Sequence, residues 1–141
     1  LENKKQKIES FEDLLVWQKA RNIRRSISGF CKTLPNEEKF KLIDQLLRAS
    51  RSDTANIAEG FGRFHFQENI QYCRQARGSL YEIIDHLSCA VDEKYLSEDH
   101  FKSYKNEIIN CIQLVNGYIA YLRKSKLNKV EEATIDYTIN E

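Results

Sequence analysis

Ser50, Thr54, Asn56 and Glu59 run into a Gly60-Phe61-Gly62-Arg63 stop, and Arg74 and Arg77 follow it. Hydroxyls, an amide, a carboxylate and two guanidiniums can pair charges, exchange hydrogen bonds or hold a polar ligand. Their spacing is helical. Ser50 and Thr54 fall on an otherwise apolar stripe, and Arg77 falls on or beside the next one. If the chain turns back near Arg63, Arg77 comes opposite Ser50, within reach of Ser50, Thr54 or the backbone there. Asn56 and Glu59 lie closer to the turn, where Arg74 and Arg63 are the expected partners. A buried charge costs several kcal/mol unless it is paired. The six polar residues are therefore read as an internal network that fixes register and oligomer state. The competing reading is a ligand or partner pocket at the end of the bundle.

Other chemistries lack their parts. A di-iron bundle needs Glu-x-x-His on two helices and a further Glu on each of the others. Here Glu82 and His86 are four apart and no second copy follows. His65 falls in a loop and His100 near a helix start. Phe61-Gly62-Arg63-Phe64-His65-Phe66 has no Gly-Lys-Ser/Thr, so it is no phosphate loop. No Ser-His-Asp or Cys-His set is suggested by spacing. Neither an enzyme activity, nor a metal, nor a cofactor is expected.

Four helices must position these residues. Val16, Ala20, Ile23, Ile27, Phe30 and Leu34 alternate steps of four and three, which predicts a first helix from Phe11 to Leu34. Ser10 and Asp13 form a capping-box pattern, and Pro35 ends the segment. A second helix runs from about Asn36 to Phe61, with Phe40, Ile43, Leu47, Ser50, Thr54, Ile57 and Phe61 as its seam. Gly60 and Gly62 are expected to close it with left-handed or strained backbone. A third spans Phe66 to Lys94, with a seam of Phe66, Ile70, Cys73, Arg77, Leu80, Ile84, Leu87 and Val91. A fourth starts after the N-cap Ser97 and carries Phe101, Tyr104, Ile108, Cys111, Val115, Tyr118 and Leu122 on one stripe. Links are short, so neighbours are antiparallel. The fold expected is all-α, an antiparallel up-down-up-down four-helix bundle about 40 Å long. Residues 1–9 are read as a flexible polar segment, 10–125 as the bundle and 126–141 as a mobile acidic tail. Thr134 to Ile139 alternates like a strand, without a partner.

Composition agrees. A chain of 141 residues suits one domain. One Pro and five Gly are too few for a β-rich chain of this size. No Met is present, so Leu1 is read as other than the native start. No apolar run approaches the roughly 18 residues that a bilayer span needs. Cys31, Cys73, Cys89 and Cys111 are widely spaced and are read as small core hydrophobes, which favours a reducing cytoplasm.

The net charge of +1 hides an uneven spread. Residues 14–36 hold Lys19, Arg21, Arg24, Arg25 and Lys32 and no acid, whereas residues 81–107 are mostly acidic. The outer face of the first helix could therefore meet phosphates, or could balance acids within the bundle or across a subunit contact. Trp17 beside Leu14, Leu15 and Val16 widens the apolar arc of the first helix, and Ile109, Ile112 and Ile119 widen the fourth. Such breadth suggests a subunit interface, with Leu14, Trp17, Ile109 and Ile112 in it.

Three motifs occur in order: Phe11-Glu12-Asp13-Leu14-Leu15-Val16-Trp17-Gln18-Lys19-Ala20, Asn56-Ile57-Ala58-Glu59-Gly60-Phe61-Gly62-Arg63 and Ala76-Arg77-Gly78-Ser79-Leu80-Tyr81-Glu82. Together they resemble the bacterial four-helix-bundle family of 23S rRNA intervening-sequence proteins, over about residues 10–125. A relative of that family is the accessory variability protein of diversity-generating retroelements. The resemblance implies a helical bundle assembled as a homo-oligomer, with a pentameric ring favoured. It also implies a role in RNA binding, or in partnership with a nucleic-acid-processing protein. The chain differs from the retroelement relatives in its near-neutral charge. It differs from the expected apolar-small-Pro-Ser stretch at Arg51-Ser52-Asp53-Thr54.

The resulting expectation is a non-enzymatic oligomeric bundle that binds RNA or ribonucleoprotein. Lys19, Arg21, Arg24, Arg25 and Arg63 are the expected phosphate contacts. The alternative is a structural or adaptor ring that binds a protein partner and no nucleic acid.

Overall fold

The computed structural model describes the backbone of residues 7–139 and side chains as far as residue 129. Four helices carry the fold: α1 (Leu15–Cys31), α2 (Leu42–Gly62), α3 (Phe66–Asp92) and α4 (Glu98–Ile139). Each packs on its chain neighbour, and α1 closes the ring against α4, while neither diagonal pair comes into close backbone contact. Cross-helix bonds show the direction. Gln67 meets Lys126 and Arg77 meets Asn116, so α4 descends as α3 rises. In the same way Ser52 meets Ser79 while Glu59 meets Tyr72, which makes α2 and α3 antiparallel. The antiparallel four-helix bundle expected from the sequence is the fold observed.

The α1 stripe is buried as its spacing predicts: Val16, Ala20, Ile23, Ile27, Phe30 and Leu34 all lie in the core. Its start differs in detail. Ser10 and Asp13 do form a capping box, but they cap a short 3-10 turn, Phe11–Asp13, and α1 begins one residue after Leu14. At the other end α1 stops at Cys31, ahead of Leu34.

The seam of α2 is displaced from the one expected. A 3-10 turn at Asn36–Glu38 and a break at Lys41 precede it, and Glu38 accepts from the Leu42 backbone N–H at the true helix start. A period cannot be carried across that break, so Phe40 stands 85% exposed. The buried stripe is instead Leu42, Leu46, Ala49, Asp53, Ile57 and Gly60, flanked by Ser50 and Thr54. On α3 the core positions include Ile70, Cys73, Ala76, Leu80, Ile83, Leu87 and Ala90.

Gly60 and Gly62 are helical, and no glycine has a positive φ. The left-handed residue of the α2–α3 turn is Phe64, at φ 59°. Gly60 serves close packing: a Cβ there would sit 2.7 Å from Asn69 Oδ1 and 2.8 Å from Tyr72 Cβ. Of the four cysteines, Cys31, Cys73 and Cys111 are buried and free, whereas Cys89 is exposed rather than in the core.

The stretch 126–139, expected as an irregular tail with a strand-like pattern, continues α4 as helix. Residues 123–133 contain no Gly or Pro and are rich in good helix formers, which suffices to propagate an existing helix. Lys129 stands 5.9 Å from the ring of Phe66, the first residue of α3. Beyond that level α4 runs on past the end of its neighbour. Residues 1–6, most of the expected flexible segment, lie outside the described residues.

Candidate nucleic-acid interface

The six polar residues around the α2–α3 hairpin divide among several small groups. Ser50 and Thr54 are buried and return their hydroxyl protons to the carbonyls of Leu47 and Arg51, one turn back on their own helix. Asn56 donates to the carbonyl and the hydroxyl of Ser52, at 2.9 and 3.0 Å, and Ser79 donates to the same hydroxyl. Glu59 does pair with Arg63, at 2.9 Å, and Tyr72 joins both. Hydrogen bonds from Arg63 and then Tyr72 hold the Glu59 carboxyl below the usual range.

Arg77 does not reach Ser50 or Thr54. It donates to Asn116 Oδ1 of α4 at 2.7 Å. The reason is rotation of α3: Ala76, Ser79, Leu80 and Ile83 take the core, which leaves Arg77 at the seam with α4. Arg74 lies on the same side and is exposed, away from Asn56 and Glu59.

Two buried polar residues escaped sequence reasoning. Asn69, 7% exposed, donates to the Tyr118 hydroxyl at 3.1 Å and links α3 to α4. Asp53 is fully buried, and neither carboxylate oxygen has a hydrogen-bond partner among the described residues. Burial pushes its carboxyl up to about 8, and the positive charge of Arg24 opposes the shift. Cys111 of α4 is close enough to feel that charge. The Arg51-Ser52-Asp53-Thr54 departure from the family pattern was the only available signal.

The expected phosphate contacts are scattered. Arg24 turns inward and donates to Thr54 Oγ1 at 2.9 Å. Arg21 lies over the indole of Trp17, 5.6 Å from its centre. Arg63 is engaged by Glu59. Lys19 lines a crevice between α1 and α4 that also holds Glu107. Arg25 is exposed, with no acidic partner within salt-bridge distance among the described residues.

Cations converge elsewhere. Between the first half of α3 and the last described turns of α4 lies a recess of about 320 Å³, lined by Gln67, Ile70, Arg74, Arg123, Lys126 and Leu127. Three of the six lining residues are basic and none is acidic. Lys126 Nζ donates to Gln67 Oε1 at 3.1 Å across the mouth. The α3 N-terminus beside it has no side-chain cap, since His65 makes none, and its backbone dipole adds positive potential.

The residues proposed for a subunit interface mostly pack within the chain. Leu14, Trp17 and Ile112 are buried and Ile109 is partly buried. Trp17 meets Phe11 edge-on at 5.1 Å. The short 3-10 turn folds Phe11 back over the indole, which consumes the apolar width that the sequence left unassigned. What stays open is Leu15, 55% exposed, at a shallow groove with Leu114, Gly117 and Tyr118.

Glu82 and His86 form an isolated pair at 3.1 Å. Among the described residues no three His, Cys, Asp or Glu side chains are grouped to hold a metal ion, and no helix is long and apolar enough to cross a membrane.

The model of the family described as "23S rRNA-intervening sequence protein" matches residues 12–117. The chain belongs to this family. A crystal structure of a protein of unknown function from the S23 ribosomal protein family of Bacteroides thetaiotaomicron VPI-5482 has the same fold. Its TM-score is 0.69 at 24% identity, over 75% of this chain and 96% of that one. No curated protein matches the chain. The family match ends at residue 117, so Arg123, Lys126 and the long extension of α4 lie beyond it.

Proposed function

We propose that this family member is a non-enzymatic protein that binds RNA or ribonucleoprotein through its surface, as an oligomer in a reducing cytoplasm. The acid-free recess formed by Arg74, Arg123 and Lys126 carries the reading. Phosphate neutralisation supplies most of the affinity of such contacts, and it requires cations that no neighbouring carboxylate has already satisfied. The α1 cations meet that condition less well, and Arg25, with Lys19, is left as a secondary contact. The open groove at Leu15 and Leu114 is the surface we assign to subunit contact. The ring of five rests on the resemblance alone and is read out by light scattering.

Fluorescence anisotropy of a labelled RNA against salt concentration tests the main reading. Affinity should fall steeply between low and moderate salt, with a log–log slope of about −0.7 per phosphate contacted on a single strand. Replacing Arg74 and Arg123 by Ala should flatten the slope by one to two contacts. Binding that ignores salt, or no binding at all, would favour an adaptor that meets only protein.

A further inference from the structure

Resting on that RNA-binding reading, we infer that the α3–α4 recess takes single-stranded RNA, holding phosphates on Arg74, Arg123 and Lys126 and stacking a base along the same groove on Tyr81.

The first reason is the mixture of surfaces. The cations share the recess with Ile70 and with Leu127, which is 63% exposed. A bare phosphate or a duplex backbone makes no use of apolar floor between its cations. A nucleotide with its base free presents an anion and an apolar plane together. The second reason is shape. The recess is a narrow cleft between two packed helices, whose axes lie roughly 8–10 Å apart in such pairs. A flexible single strand can enter it, whereas a duplex keeps its bases stacked inside and offers only its outer phosphates.

The third reason is the continuation of the groove along α3. Arg74 and Tyr81 are seven residues apart, hence on one face and roughly 10 Å apart along the axis. Tyr81 is 54% exposed. Between them the surface is open at Gly78, where an added Cβ would meet nothing within 4 Å. Arg77, tied to Asn116, closes the groove floor between the two helices. Cations followed by an exposed ring along one track are the elements from which single-strand sites are built, because every base has a face to stack.

The test compares a labelled twelve-nucleotide oligouridine with a twelve-base-pair RNA duplex by anisotropy at fixed salt, on the full chain. The single strand should bind at least about tenfold tighter than the duplex. R74A/R123A should lose about tenfold or more for the single strand. Y81A should lose roughly five- to tenfold for the single strand and change duplex binding little, and K19A/R25A should change either by less than about twofold. All five residues are exposed at least in part, so folding should persist, with circular dichroism melting as the check. Equal or tighter duplex binding, or single-strand affinity untouched by R74A/R123A or by Y81A, would overturn the inference and leave RNA binding itself standing. No binding of either RNA would remove both.

Discussion

Two polar clusters sit one residue apart on α2 and have opposite fates. Ser52 faces α3, where Ser79 and the nearby Asn56 satisfy its hydroxyl. Asp53 points into the bundle centre and finds no donor. A step of about 100° around a helix separates the two directions. Toward α3 the facing side chains are small and polar. Toward the centre they are isoleucine, leucine and cysteine. Arg24, the cation nearest Asp53 in effect, spends its hydrogen bond on Thr54 instead. A buried polar residue is therefore stabilising or costly according to what the opposite helix presents, and not according to its own type.

The largest effect that would test this contrast belongs to Asp53. Its carboxyl is raised from 3.8 to about 8. Below pH 3.8 it is protonated in both folded and unfolded chains. Between 3.8 and about 8 only the unfolded chain releases the proton, so stability falls as pH rises through that window and levels off above it. At about 1.4 kcal/mol per unit the loss amounts to several kcal/mol. Asp53→Val should remove this slope and stabilise the protein by about 1–4 kcal/mol at pH 8.5. Urea denaturation at pH 4.5 and 8.5 reads both, and an unchanged slope in the variant would end the contrast.

Next comes Gly60→Ala. Helix propensity alone would favour Ala by up to about 1 kcal/mol. The contacts at 2.7 and 2.8 Å force α2 and α3 apart, and a net loss of about 1–3 kcal/mol is expected in the same assay. Tyr118→Phe leaves the Asn69 amide without its acceptor and should cost about 1 kcal/mol, read as a lower thermal midpoint. Ser79→Ala is the smallest, about 0.5 kcal/mol, since Asn56 still serves Ser52. A Ser79→Ala loss as large as that of Tyr118→Phe would mean that the satisfied cluster is a cooperative unit.

Much of this was legible in the residues. The α1 stripe and the α4 positions Ile108, Cys111, Val115 and Leu122 are all buried where a period of three and four residues puts them. Phe40 was misplaced because the 3-10 turn and the Lys41 break leave no mark in that period. Arg77 was correctly set at the edge of the apolar face, yet its partner came from α4 rather than α2. Spacing measures rotation about one axis and says nothing of which neighbour lies across it. Of the expected phosphate contacts, four have partners or acidic surroundings that no linear spacing could show. The recess at Arg74 draws Arg123 and Lys126 from some fifty residues away.

By itself the order of amino acids determined four amphipathic helices, their short links and hence the antiparallel bundle, because each of these depends on residues near one another in the chain. Only the tertiary structure decided that Asp53 would stand alone, that Gly60 would be a point of contact, and that the free cations would gather between α3 and α4. Those outcomes depend on the rotation and offset of packed helices, which are set by how all four fill one shared interior.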